Sequence, residues 1–128
     1  MIITLPWPPS ANTYWRHITR GKLAGRHLIS EKGRAYRTAV MEAVLLQGAA
    51  KRLNGLLKIE IKAFVPDRRR RDLDNLSKGL LDAMTHAGVW LDDSQVDDTR
   101  TYRARDDRGE LIIEGKVVIK IEQMRAAG

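Results

Sequence analysis

Cysteine is absent from this chain of 128 residues, which removes disulfide frameworks, thiolate zinc sites and cysteine nucleophiles together. Long hydrophobic runs are missing as well. No window approaches the roughly 20 apolar residues of a membrane span, and the opening MIITLPWPPS lacks the basic-then-apolar pattern of a secretion signal. A cytoplasmic protein with no membrane partner is therefore expected. Acids are in short supply: 16 Asp and Glu face 23 Lys and Arg, for a formal charge of +7. The resulting positive field favours a polyanionic partner, nucleic acid first and acidic membrane second, with salt-sensitive association.

With 43% hydrophobic and 30% charged residues, the chain has enough apolar material for one core and too little length for two comfortable ones. One domain spanning 1–128 is expected. Charge is unevenly placed along it. Between Asn12 and Arg37 there are seven basic residues, Arg16, Arg20, Lys22, Arg26, Lys32, Arg34 and Arg37, against the single acid Glu31. Asp92, Asp93, Asp97 and Asp98 form the opposite extreme. A protein that only coats a polyanion gains nothing from such a knot of acids, whereas a metal-dependent nuclease needs both signs.

Ile2 to Leu5 has strand character and runs into Pro6, Pro8 and Pro9, whose fixed φ and missing N–H end pairing. Ser10 to Ile29 mixes polar, aromatic and basic groups around Gly21 and Gly25, which suits an exposed arm or hairpin better than a helix. Ser30-Glu-Lys-Gly resembles an N-cap, and the spacing of Tyr36, Val40, Ala43 and Val44 predicts a helix over about 30–50. Leu57, Ile59, Ile61 and Ala63 alternate with charged residues as a half-buried strand does. A second helix is predicted over 72–87 from the stripe Leu73, Leu76, Leu80, Met84 and Ala87, with Gly88 at its C-terminus. Strands are predicted near 96–104 and over 111–121, with a turn at Asp106 to Gly109 between them. This order implies an α+β domain with two main helices and a mixed sheet.

Asp72, Asp74 and Asn75 fall at the start of the second helix, where the apolar stripe fixes the helix and lets the carboxylates project near one another. Two carboxylates plus waters suit Mg²⁺, which prefers oxygen ligands and keeps part of its hydration shell. Lys78 lies one turn beyond Asp74. The bland reading of these residues is a helix cap and a surface ion pair. Against it stands the run Arg68, Arg69, Arg70 and Arg71 immediately before, leading into a helix N-terminus that already favours anions.

A third acid is available at Asp92 or Asp93, but reach is a constraint. From Asp74 to Ala87 a helix rises about 20 Å, and an extended chain from Ala87 to Asp93 returns only about 20 Å. Closing the site within one chain demands a sharp turn at Gly88 and a straight return of Val89 to Leu91. Otherwise the third ligand comes from a second subunit. Both arrangements stay open at the level of sequence.

The block DRRRRDLDNLSKGLLDAMTHAGVWLDDSQV, Asp67 to Val96, resembles the signature of the RusA family of Holliday junction resolvases, and LPWPPSANTYWRH, Leu5 to His17, resembles that family's N-terminal motif. The resemblance continues through Ser30-Glu-Lys-Gly and Tyr36-Arg37, and is weakest over Ile18 to His27. It implies a RusA-like fold and a homodimeric, structure-selective endonuclease. That enzyme would bind four-way DNA junctions and resolve them by paired symmetric nicks in recombination and repair, with Mg²⁺ or Mn²⁺ and no small-molecule cofactor. Motif by motif, it implies catalytic and metal-binding roles for Asp72, Asp74 and Asp93, with Asp92 as second choice, and a catalytic role for Lys78. DNA contacts would fall on Arg68 to Arg71 and on Arg16, Lys22, Arg26, Lys32 and Arg34.

Trp7, Tyr14 and Trp15 are expected to pack on the core or a partner subunit in preference to stacking on bases, and Trp90 to pack. His17, His27 and His86 lack zinc-site spacing. Asp82, one turn beyond Lys78, is expected to pair with it. The competing class is a noncatalytic DNA- or RNA-binding module whose acids only cap helices.

Overall fold

The computed structural model describes residues 1–124; the last four positions of the expected domain, 125–128, lie outside the described residues. Four strands form a sheet in the order β1 (Ile2–Pro6), β6 (Lys116–Gln123), β4 (Leu57–Phe64), β5 (Val96–Arg103). The β1–β6 and β6–β4 pairs are antiparallel and β4–β5 is parallel, so the sheet is mixed as expected. A parallel pair needs a crossover, and α3 (Asp74–His86) supplies it. The other long helix, α2 (Glu31–Leu46), packs beside α3.

Period-two patterning puts one face of the sheet under these helices. Ile3 and Leu5 of β1, Leu57, Ile59, Ile61 and Ala63 of β4, and Val117, Ile119 and Ile121 of β6 are buried in one cluster with Val40, Val44, Leu80 and Met84. Trp90 is 1% exposed and joins that cluster, as expected of a packing residue. The other sheet face carries Lys58, Glu60 and Lys62 and is open to water.

Three features of this framework differ from the sequence reading. The first helix ends at Leu46 because Gly48 takes a left-handed φ of 63°, which returns the Ala49 N–H to the Val44 carbonyl and stops propagation. The last strand begins at Lys116 and not at Leu111: Gly115, at φ 74°, donates to Phe64 O and Val65 O, while Leu111 only bridges Arg105. Third, the arm contains a short helix, α1 (Ala11–Tyr14), where none was expected. The Ser10 carbonyl accepts the N–H groups of Thr13 and Tyr14, and full burial of Tyr14 anchors the turn. Beyond it the expected hairpin forms, β2 (Trp15–His17) pairing with β3 (His27–Ile29).

Tyr14 is the pin between the arm and both helices. Its hydroxyl donates to Asp82, and Arg37 Nε reaches Tyr14 Oη at 3.1 Å and Asp82 Oδ2 at 3.0 Å. Burial first, and then the hydrogen bond to Asp82, push the Tyr14 phenol up to about 12. Asp82 is therefore engaged by Arg37 and Tyr14, with Arg37 Nη2 at 2.8 Å, and not by Lys78 as the i,i+4 spacing suggested. The ring of Tyr14 lies so close to α3 that a Cβ on Gly79 would sit 2.8 Å from it. Glycine to alanine inside a helix ordinarily stabilises by about 1 kcal/mol. At Gly79 the overlap reverses the sign, and Gly79→Ala is expected to cost about 1–3 kcal/mol. Thermal unfolding of the variant should show a midpoint lowered by several degrees, roughly the shift such a cost produces in a domain of this size.

Candidate active site

The strand β4 ends at Phe64 and delivers the chain to a loop held shut from within. Asp67 accepts the Arg69 N–H at 2.9 Å and an ion pair from Arg71 Nη2 at 2.7 Å. The Arg69 N–H, and next the Arg71 guanidinium, hold the Asp67 carboxyl below the usual carboxylate range. Arg71 also donates to the carbonyls of Asp67 and Arg69 and lies over the Trp7 ring at 5.8 Å. Arg71 thus shapes the loop, whereas Arg68 and Arg69 keep side chains that are 71% and 85% exposed.

Asp72 precedes α3 instead of opening it. Its Oδ1 accepts the Asp74 N–H at 3.1 Å and its carbonyl accepts the Asn75 N–H, an Asx turn that starts the helix two residues later than the apolar stripe suggested. Asp72, Asp74 and Asn75 are all exposed. Among the described residues the Asp74 carboxylate has no hydrogen bond or ion pair, and Asp72 keeps one oxygen unused.

A cleft of about 310 Å³ runs in front of this helix start, lined by Trp7, Asn12, Arg70, Asp72, Asn75 and Arg103 among others. Arg103, at the end of β5, donates to Arg71 O at 2.6 Å and so carries one wall of the cleft. A neighbouring cleft is lined by Asn12, Trp15, His17, His27 and Lys78. Asn12 belongs to both, so Lys78 and Asp72 flank one continuous surface beside the arm. Sequence reasoning missed Arg103 and Asn12. Asn12 lies in the N-terminal motif but carried no assigned role, and nothing local marks Arg103, because its place depends on the pairing of β5 with β4.

The remaining basic positions lie on the arm and on α2. Arg16 on β2, Lys22 and Arg26 in the hairpin, and Lys32 on α2 are exposed. Arg34 is exposed too, but its Nη1 donates to Ile29 O and ties α2 to β3.

Asp92 and Asp93 are elsewhere. The segment after α3 does not return along the helix: Gly88 O accepts from Arg52 N–H, Val89 O from Leu53 N–H, and Trp90 bridges Leu53, ahead of β4. Asp93 to Gln95 then form a single 3-10 turn leading into Val96, which pairs with Leu57 at the start of β4. Arg103, beside the acid pair, faces Ala63 at the other end of the same strand. The eight residues of β5 therefore separate Asp93 from Asp72 by about 20 Å or more. Among the described residues no three acids or histidines are close enough to hold one metal ion. Asp92 is engaged locally: its carboxylate takes the Ser94 hydroxyl and its carbonyl the Gln95 N–H, while Gln95 Oε1 accepts the Asp92 N–H at 2.7 Å. The Asp93 carboxylate has no such partner among the described residues and is the freer of the two.

Asp72 and Asp74 offer hard oxygen donors on an exposed helix start beside arginines. This donor set fits a divalent cation that keeps several waters and takes one or two carboxylates, and it lacks the sulfur or clustered imidazole that zinc prefers. Among the described residues no helix is long and apolar enough to cross a membrane.

The family described as "Endodeoxyribonuclease RusA" matches residues 6–121. The crossover junction endodeoxyribonuclease of Enterobacteria phage 82 is 46% identical over 125 residues, covering 95% of this chain and 93% of that protein. Its namesakes from Shigella sonnei and Escherichia coli are 44% and 43% identical over 122 residues, with the same coverage of each chain. The match runs from the last residue of β1 through the arm, both long helices, all of β4 and β5 and most of β6, and the chain belongs to the RusA family of endodeoxyribonucleases.

Proposed function

We propose that this protein is a divalent-metal-dependent endonuclease that resolves four-way DNA junctions by paired, symmetric phosphodiester hydrolysis, acting in DNA recombination and repair as a homodimer. The observation that carries this reading is the acid pair at the start of α3, Asp72 lining a cleft with Arg70, Arg71 and Arg103 and Asp74 exposed two residues on, in a chain related along its length to crossover junction enzymes. A noncatalytic binding module needs the arginines but not two unpaired carboxylates among them.

Asp72 and Asp74 would hold the cation, which we propose to be Mg²⁺ with Mn²⁺ as a substitute. When bound, it supplies Lewis acidity to the scissile phosphate and lowers the pKa of water so that hydroxide is available near neutrality. Lys78 stands one turn along α3 on the same continuous surface and offsets negative charge on the phosphate or the leaving oxygen. Arg68, Arg69 and Arg70 position the sugar–phosphate backbone, while Arg71, already committed to Asp67, keeps their loop in shape. Arg16, Lys22, Arg26 and Lys32 extend the positive surface along the arm, and Arg34 adds charge where α2 meets β3. Asp93 is the third carboxylate. Since one chain holds it at the far end of β5, it serves the acid pair of a second copy. Two-fold symmetry then yields two equivalent sites, one for each of two symmetric cuts.

A synthetic four-way junction with Mg²⁺ is the direct test. The protein is expected to release nicked linear duplexes in Mg²⁺ or Mn²⁺ and to bind without cutting in EDTA. Binding with no divalent-dependent cleavage at any metal concentration would sink the enzymatic reading.

A further inference from the structure

Lys78 and Asp82 stand one helical turn apart on α3, the spacing at which a lysine and an aspartate on an exposed face ordinarily meet. Here they do not. Among the described residues Lys78 makes no ion pair, and its side chain is exposed at the cleft it lines with Asn12, Trp15, His17 and His27. Asp82 is given to other partners. Its Oδ2 accepts the Tyr14 hydroxyl from α1 and both Nε and Nη2 of Arg37 from α2, the latter two at 3.0 and 2.8 Å. The side chains of Arg37 and Asp82 are 24% and 29% exposed, so their charges are shielded from water and salt better than those of a surface pair.

Relative strength decides which cation Asp82 takes. A guanidinium that aims two N–H groups at a carboxylate makes charge-assisted hydrogen bonds in a preset geometry, and the tyrosine hydroxyl adds a third. An exposed lysine one turn away offers much less and gives up side-chain freedom to do so. Arg37 therefore wins, and Lys78 keeps its full positive charge at the cleft. Without Arg37 the balance reverses. A half-buried carboxylate that has lost its counter-ion draws in another cation, because a charge stripped of part of its hydration is costly to leave unpaired. Lys78, one turn back, is within reach. His86, one turn on, lines a separate groove with Met41 and Leu45.

We propose that Arg37 is a positioning residue for strand cleavage: by holding Asp82, it keeps Lys78 unpaired and available to the scissile phosphate. The inference rests on the role given to Lys78 above, and makes that role depend on the packing of α2 against α3. Arg37 does not line the clefts beside the acid pair and Lys78, so it meets no substrate there. Its removal acts through Lys78, on the rate of the chemical step more than on affinity.

Arg37→Met keeps the aliphatic stem and removes the charge. With this variant in excess over a synthetic four-way junction in Mg²⁺, the single-turnover cleavage rate is expected to fall about tenfold, the scale of one partly screened ion pair. The dissociation constant in EDTA should change by less than about threefold. Adding Asp82→Asn to Arg37→Met takes away the charge that captures Lys78, and should return the rate to within about twofold of the wild type. A purely structural loss gives no such rescue, since the second substitution repairs no contact. The crystal structure of Arg37→Met reads the capture directly: Lys78 Nζ is expected within about 4 Å of an Asp82 oxygen. Arg37→Gln, which keeps an N–H donor without the charge, takes its place if Arg37→Met does not fold, with the same outcomes expected. A lysine that stays in the cleft, a normal cleavage rate in the single variant, or a double variant as slow as the single one overturns the proposal. The crystal structure separates this from the nuclease reading. Wild-type protein that never cuts DNA, with Lys78 drawn onto Asp82 in the variant, refutes the nuclease and supports the control of Lys78 by Arg37.

Discussion

Asp74→Asn is expected to abolish junction cleavage, by on the order of 10³-fold or more, about 4 kcal/mol of transition-state stabilisation, while junction affinity changes by less than a few-fold. The side chain is exposed and has no partner among the described residues, so no fold energy is lost with its charge. It stands at the first residue of α3, where a carboxylate is worth only about 0.3–1 kcal/mol to the helix, and asparagine there retains much of the local geometry. Binding is expected to rise slightly if anything, since a negative charge beside the phosphates has been removed. Gel-shift assay in EDTA and cleavage in Mg²⁺, on the same synthetic junction, separate the two effects. A variant that still cuts at a tenth of the normal rate would remove Asp74 from the site. Asp72→Asn should lose activity as severely with little change in melting point, because the asparagine Oδ1 can still accept the N–H that starts the helix, whereas Asp72→Ala should lower it.

Mixed dimers of Asp74→Asn and Asp93→Asn subunits carry the second large effect. Each variant alone should be inactive. If the site is shared between subunits, a mixed dimer has one site with both lesions and one with none, and equal mixing restores about a quarter of the normal sites. The product identifies the mechanism: one intact site cuts one strand, so the junction is nicked and not resolved into paired linear products. If all three aspartates acted within one chain, every site in every mixture would carry a lesion and activity would stay at background. Exchange of subunits is verified by a size tag on one variant, so silence cannot be blamed on failure to mix.

Much of the fold was legible in local pattern. β4 showed its period of two, α3 its apolar stripe and Ser30 its cap, which indeed accepts the Gly33 N–H at 3.0 Å. These signals are strong because each rests on residues within a turn or two of one another. The misplaced boundaries have a common cause. At Leu46 and at Lys116 the apolar pattern outlasted the backbone geometry, and a left-handed glycine ended or delayed the element. The Lys78–Asp82 pairing failed for a different reason: helical spacing cannot foresee a competing arginine on another helix, and Arg37 with Tyr14 makes three contacts to Asp82.

The sequence by itself determined the chemistry on offer: a basic, cysteine-free chain, hard oxygen donors at Asp72 and Asp74, arginines immediately before them and a family signature around them. Those are properties of neighbours along the chain, and local order is enough to express them. Only the tertiary structure decided where the third acid goes. Parallel pairing of β5 with β4 places Val96 beside Leu57 and Arg103 beside Ala63, and this sets Asp93 and the acid pair at opposite ends of a strand. A separation of that kind depends on strand direction, which residue spacing does not encode. On the function proposed above, it divides a run of conspicuous aspartates between two subunits.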